Sequence, residues 1–329
     1  MKNSILYFAL LTWMFSCSSP SKFEEESQPI IPEITATCND NVKNGTETGI
    51  DCGGNSCNPC ASATAVIPQN GYIAPENYQG YSLVWSDEFN SSELNSQNWS
   101  FHAGNGCPNL CGWGNNELQF FTAKNYELNN GNLVITAKNE NSGGSTYTST
   151  RIHSDDKFEF KYGRVDVRAA MPAATGTWVA LWLLNKEYSV QNPSEWWPKG
   201  GEIDLMEYLG EDPTEIFGTA HYGSNLSSHN FNSKYVKAPS EDFTMVYHVF
   251  SILWEENKIT WLLNDKPYHT ITPEDTKGQP YPFNDEFYLV MSLSVGGNLP
   301  VSPIASQFPA FLIVDYIRID HQILLLHYL

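Results

Sequence analysis

The chain has 329 residues, with 37 acidic against 18 basic side chains, a formal net charge of −19 and 13% aromatic residues. So large an acidic excess disfavours nucleic acid and other polyanions as partners, because no basic patch offsets the repulsion. The length accommodates one large domain with short appended segments.

Met1-Lys2-Asn3 is a short positive start. The apolar run Ile5–Phe15 that follows is too short to span a bilayer and suits the hydrophobic region of a secretory signal. The run ends at Ser16-Cys17, which resembles a bacterial lipoprotein cleavage site with Cys17 acylated after processing, although Met14 and Phe15 depart from the usual aliphatic-then-small pattern. Ser21-Lys-Phe-Glu-Glu-Glu26 is similar to the lysine-acid signal that sends Bacteroidetes-type lipoproteins to the outer surface. Residues 1–17 are therefore expected to be a lipoprotein signal and residues 18–37 an acidic linker. The expected location is the outer membrane, facing outward and held by lipid alone; plain secretion is the alternative.

Seven cysteines less Cys17 leave six, an even number for an oxidising compartment. Cys38, Cys52, Cys57 and Cys60 lie within 23 residues, too few to bury a core, so two disulfides are expected to hold residues 38–60 as a small module. Three connectivities remain open, and zinc is the rival reading. Asp40, Asn44, Glu47 and Asp51 are either Ca²⁺ ligands or turn residues. Residues 61–78, rich in Ala, Ser, Thr and Pro over Ala61–Pro75, read as a linker. Cys107 and Cys111 flank Pro-Asn-Leu directly before Gly112-Trp113, where a disulfide would pin the loop.

Beyond residue 79 the pattern is all-β. Asn132–Lys138, Val165–Ala169, Phe250–Trp254 and Phe287–Leu293 are short and rich in β-branched or aromatic residues. Asn-Asn-Gly (129–131) and Asn264-Asp265 are turn signals between such runs, and no stretch keeps a helical period over four turns. Residues 200–210 carry Glu202, Asp204 and Glu207 interleaved with Ile203, Leu205 and Met206. On a helix these acids would scatter around the axis. On a regular strand Glu202 and Asp204 share a face while Glu207 points away. One β-bulge between Asp204 and Glu207 puts all three on one side. The glutamates are then about 13 Å apart at Cα, and inward-leaning side chains could approach the ~5–5.5 Å of a retaining glycosidase pair. The plainer alternative is a partly buried acidic patch or a cation site. Crowding three acids raises at least one of their pKa values.

Trp-Pro-Lys-Gly-Gly-Glu-Ile-Asp-Leu-Met-Glu-Tyr (197–208) resembles the active-site strand of glycoside hydrolase family 16. Within it, the segment is similar to the laminarinase-like endo-β-1,3-glucanases, whose signature is Glu-x-Asp-x-x-Glu after Trp-Pro; lichenases and κ-carrageenases more often carry Glu-x-Asp-x-Glu. The similarity extends over about residues 79–320, through Val84-Trp-Ser-Asp-Glu-Phe-Asn90, Gly112-Trp-Gly-Asn-Asn-Glu-Leu-Gln119, Lys161-Tyr-Gly-Arg-Val-Asp-Val-Arg168, Gly176-Thr-Trp-Val-Ala-Leu-Trp182, Gly218-Thr-Ala-His-Tyr-Gly223, Val295-Gly-Gly297 and Val314-Asp-Tyr-Ile-Arg318. Ser292 stands where the family often has Asn, Val179 where Pro is common, and the apolar tail 321–329 matches nothing in the family.

The resemblance implies a concanavalin A-like β-jelly-roll sandwich of two antiparallel sheets with a substrate cleft on the concave sheet. It implies endo-acting, retaining hydrolysis of β-1,3 bonds in laminarin-type glucan by a monomer without a catalytic cofactor. The alternatives are a mixed-linkage β-1,3-1,4-glucanase and a non-catalytic glucan-binding protein. By position, Glu202 is the nucleophile, Glu207 the acid/base, and Asp204 a hydrogen-bonding partner of the nucleophile. Trp197 is expected near the cleavage site, Trp113, Asn115 and Arg151 on the non-reducing side, and Trp178 with Trp182 against sugar. Trp182 divides evenly between core and cleft; Trp85, Trp254 and Trp261 belong to the core. His221 is expected to support Glu207 or the leaving sugar. A structural Ca²⁺ is expected at Glu88, the Gly131 carbonyl and Asp315.

Overall fold

A computed structural model describes residues 43–47, 54–57, 64–239, 242–244 and 246–323. The expectations for Cys17, Cys38, Cys52, Cys60, Asp40, Asp51 and residues 324–329 fall outside the described residues. The chain divides into two units, 1–61 and 62–329. In the first, Cys57 is disulfide-bonded. Glu47 N–H donates to the Asn44 carbonyl at 3.2 Å and Asn44 N–H to Glu47 Oε2 at 3.0 Å, so these two residues close a turn.

The second unit is the expected jelly-roll sandwich. One sheet runs Lys266–Ile271, Lys258–Leu263, His248–Glu255, Gly163–Ala170, Ala310–Gln322, Leu133–Ala137, Tyr126–Leu128, with Tyr81–Asp87 also paired to Ala310–Gln322. The other runs Asn230–Lys237, Glu215–Tyr222, Glu202–Leu209, Thr177–Asn185, Phe287–Val295, Arg151–His153, Ser100–His102, with Glu159–Phe160 also paired to Phe287–Val295. Every pairing in both sheets is antiparallel. The two turn signals sit at two-residue hairpins whose central residues all take positive φ: Asn130 and Gly131, Asn264 and Asp265. That is the backbone a type I′ turn requires. Among the described residues no helix is long and apolar enough to cross a membrane.

Period-two alternation divides the second sheet cleanly. Val179, Leu181 and Leu183 enter the core with Leu289, Met291 and Leu293, facing Val165, Val167 and Ile252 of the first sheet. Trp178, Trp182, Ser292, Ser294, Arg151 and His153 fall on the opposite face. Trp254 and Trp261 are fully buried, as expected, and Trp85 packs against the core from its edge.

Two boundaries differ from expectation. The linker is docked from its first described residues: Ala65 and Ile67 pack against Val134, Ala170, Tyr247 and Ile313, and Gly71 bridges Tyr247. The hydroxyls of Tyr72 and Tyr78 donate to Asp265, which also pairs with buried Arg164. The residues are polar and turn-rich in sequence, yet two tyrosines at the right spacing fasten them. The tail also begins later than expected, because His321 and Gln322 continue the last strand, paired with Ser82 and Tyr81.

Asp265→Asn keeps a residue that tolerates the positive-φ turn but removes the carboxylate shared by three donors. It is expected to cost about 2 kcal/mol, a fall in Tm of roughly 4–8 °C, and to make residues 65–78 susceptible to limited proteolysis. Unchanged cleavage there would show that the strap is held by something else.

Candidate active site

The expected bulge is present. Across to Glu215–Tyr222, Asp204 pairs with Thr219 but Glu207 with Phe217, so three steps on one strand face two on the other. Leu205 and Met206 consequently both turn into the core with Ile203 and Tyr208, while Glu202, Asp204 and Glu207 share the outer face. A bulge leaves backbone groups unpaired. Here the Asp204 carbonyl accepts the indole N–H of Trp261 at 2.8 Å, reaching from the other sheet. Gly218 stands between the pairs on either side of the bulge, and a Cβ there would lie 2.4 Å from the Trp261 ring. Glycine is the residue that lets the indole in.

Each carboxyl has its own neutral donors. Trp197 Nε1 donates to Glu202 Oε2 at 2.7 Å; Trp178 Nε1 and the Thr219 hydroxyl donate to Glu207 at 3.1 and 3.3 Å. Carboxylate oxygens of Glu202 and Asp204 and a ring nitrogen of His221 lie within 4.8 Å of one another. His221 Nε2 lies 3.3 Å from Asp204 Oδ2, an ion-pair distance without hydrogen-bond alignment. Its Nδ1 meets His229 Nε2 at 2.9 Å. Among the described residues no lysine or arginine pairs with the three acids. Burial therefore dominates and pushes all three upward: Glu202 to about 8, with Asp204's charge adding to it, Asp204 to about 7, and Glu207 well above the usual range. Glu207 is raised by burial first and then by the charges of Asp204 and Glu202. Two carboxyls on one face, four partner-strand positions apart, can together deliver a proton and attack a carbon.

A model of the glycosyl hydrolases family 16 matches residues 114–307. The chain belongs to this family. It is 36% identical over 261 residues to the glucan endo-1,3-beta-glucosidase A1 of Niallia circulans, covering 73% of this chain and 38% of that one. The chain thus spans well under half the length of that relative. The endo-beta-1,3-glucanase of Pyrococcus furiosus matches at TM-score 0.67 and 37% identity, over 73% of this chain and 94% of that one. A LamA variant of Z. galactanivorans, solved with laminaritriose and laminaritetraose, matches at TM-score 0.62 and 29% identity, over 73% and 99%.

The family positions on the expected non-reducing side converge on Arg151. Its guanidinium lies over the rings of Trp113 (4.7 Å), Phe121 (4.6 Å) and Trp182 (5.5 Å) and donates to buried Glu117 at 3.2 Å. Glu117 also accepts from Gln119 and Ser294. The expected disulfide Cys107–Cys111 closes the loop that presents Trp113, whose indole N–H donates to the Gly104 carbonyl. Asn115 sits half-buried where that loop ends. Trp182 is half-buried, with its side chain on the cleft face.

Several roles differ from expectation. Trp178 is buried and acts as a donor to Glu207 instead of an open platform. His221 faces Asp204, not Glu207. Glu88 accepts both N–H groups of Arg318 at 2.8 Å, and Asp315 pairs with Arg168. A Ca²⁺ at Glu88, Gly131 and Asp315 would have to displace both guanidinium groups, so the set as arranged does not fit the ion. Sequence reasoning missed Trp261, Thr219, Glu117 and His229. Of these Glu117 and Thr219 carried a signal, as members of the Gly112–Gln119 and Gly218–Gly223 motifs.

Two measurements test this geometry. Trp261→Phe leaves the buried Asp204 carbonyl unpaired, at about 1–3 kcal/mol, and is expected to lower kcat while KM holds. A variant with unaltered kcat would show that the bulge needs no such tie. Glu202→Gln tests the electrostatics through stability. The folded chain retains a proton that the unfolded chain releases near 4.5, so stability falls as pH rises from there towards 8. The amide lacks this penalty, so its Tm should exceed the wild-type value by roughly 3–8 °C at pH 8 and by little at pH 4.5. A gap independent of pH would rule out burial as the cause.

Proposed function

We propose that the chain is an endo-acting β-1,3-glucanase that cleaves laminarin-type glucan with retention of configuration. The observation that carries this reading is the bulged strand, which sets Glu202 and Glu207 on one face, each with its own hydrogen-bond donors. The relatives named for β-1,3-glucan hydrolysis support the substrate class.

Glu202 serves as nucleophile. The Trp197 N–H holds one of its oxygens and leaves the other to attack the anomeric carbon. Asp204 lies beside the nucleophile, and His221 faces its carboxyl. Glu207 gives its proton to the departing glycosidic oxygen as the carbon–oxygen bond breaks and the ester to Glu202 forms. It then takes a proton from water, whose oxygen attacks the same carbon and releases Glu202. Thr219 and Trp178 keep the Glu207 carboxyl aimed through both steps. The protons belong to the coupled cluster, so the pH profile reports the group as a whole. The Cys107–Cys111 disulfide suits an exported enzyme, with the lipid expected on Cys17 holding it at the outer surface.

The test is product analysis on laminarin and on mixed-linkage β-glucan, with anomeric configuration followed by NMR. Wild type is expected to release oligosaccharides from laminarin faster, initially in the β configuration, and Glu202→Gln to lose at least about 10³-fold in kcat. On an aryl β-glycoside, whose leaving group departs without protonation, Glu207→Gln should regain turnover when azide, which needs no general base, replaces water. Faster cleavage of the mixed-linkage glucan would reassign the substrate; tight glucan binding without turnover would point to a binding protein.

A further inference from the structure

We infer that the outward face of the edge strand Asn230–Lys237 is a shelf that binds the leaving-group side of the β-glucan; this extends the proposed function and rests on it. The register places it. Glu202 pairs with His221, which pairs with Phe231; Glu207 pairs with Phe217, which pairs with Tyr235. Phe231 and Tyr235 thus stand in the same rows as the two glutamates, two strands away, or about 10 Å across the sheet. Alternation along the strand puts Phe231, Ser233 and Tyr235 on the side of the acids, while Val236 packs against the core.

Both rings are open to solvent, Phe231 at 58% and Tyr235 at 56%. They are nonetheless set in place. Tyr235 packs on buried Phe217 at 4.7 Å, and Phe231 lies 5.8 Å from His221 and 6.2 Å from His229. Between the two rows, the Ser233 hydroxyl sits 3.0 Å from that of Thr219, which donates to Glu207. Two exposed aromatic rings with hydroxyls between them match a pyranose chain, which offers apolar C–H faces ringed by hydroxyls. A protein groove would offer a longer apolar stripe, and a polyanion would need more cationic cover than this acidic chain supplies. The occupant is a neutral glucan because the shelf continues the rows that hold the reacting bond. The end carrying Arg151 and Trp113 lies across the acids from it, leaving this end for the departing sugar.

The rings are superficial, so Phe231→Ala/Tyr235→Ala is expected to fold. The experiment compares this double variant with wild type on laminarin and on an aryl β-laminaribioside, whose leaving group is too short to reach the shelf. The expected result is a loss in kcat/KM of about tenfold on laminarin, carried by KM, with the aryl glycoside cut at close to the wild-type rate. Transfer of glycosyl groups to added laminaribiose should fall in parallel. Unchanged kinetics on laminarin would overturn the shelf, as would equal losses on both substrates, which would mark the rings as structural or as contacts for the retained sugar. If wild type cuts neither substrate, the underlying functional reading fails, and a β-1,3-glucan shelf falls with it.

Discussion

The site depends on a backbone irregularity that the rest of the sandwich is built to tolerate. A regular strand cannot set Glu202, Asp204 and Glu207 on one face, and a bulge that does so disrupts the ladder beside Asp204. A buried carbonyl at such a break gains from a donor outside the ladder. Trp261 supplies it from the opposite sheet at 2.8 Å, through the gap left by Gly218. The arrangement ties the spacing of the acids to the packing of the two sheets, since the indole reaches only while the sheets keep their separation. The core thereby fixes the chemistry as directly as it fixes the fold.

The electrostatic design follows from the choice of donors. Indole and hydroxyl groups hold Glu202 and Glu207, and a histidine faces Asp204, but among the described residues no permanent cation neutralises them. Neutral donors orient a carboxyl without committing it to the charged form, whereas a nearby guanidinium would drive its pKa down. The nearby Arg151 pairs with Glu117 and not with the three acids. The cost is stability above the ordinary carboxylate range, and the gain is a proton available to leave with the substrate's oxygen.

Much of this was legible in the sequence, and the limits have physical causes. Period-two alternation and the Asn-Asn-Gly and Asn-Asp signals located strands and hairpins, because both depend on local geometry. The spacing of Glu202, Asp204 and Glu207 demanded a bulge, because no regular element reconciles three acids with three apolar neighbours. The contacts of Trp261, Thr219 and His229 were invisible for the opposite reason: Trp261 reaches across from the other sheet, and Thr219 and His229 meet their partners only once the neighbouring strand has folded back in register. Trp178 was read as a platform because sequence shows an aromatic ring but not which way its N–H points. The strap of residues 65–78 looked free since two tyrosines and one distant aspartate hold it. Glu88 and Asp315 looked like cation ligands because their arginine partners were not apparent as partners.

The two ends of the cleft differ in a way that suits a two-step displacement. At one end Arg151 is clasped among Trp113, Phe121 and Glu117, and the loop carrying Trp113 is closed by a disulfide. At the other, rings lie on an edge strand with one face open. On the proposed mechanism the sugar attached to Glu202 must stay through both steps, while the leaving sugar must depart before water can enter. Rigid, buried contacts lose little entropy on binding and release slowly; open stacking contacts exchange readily. On that mechanism the glycosyl ester left on Glu202 would then face a vacated, accessible side with Glu207 still in position. The rigidity at one end and the openness at the other divide the two steps between them.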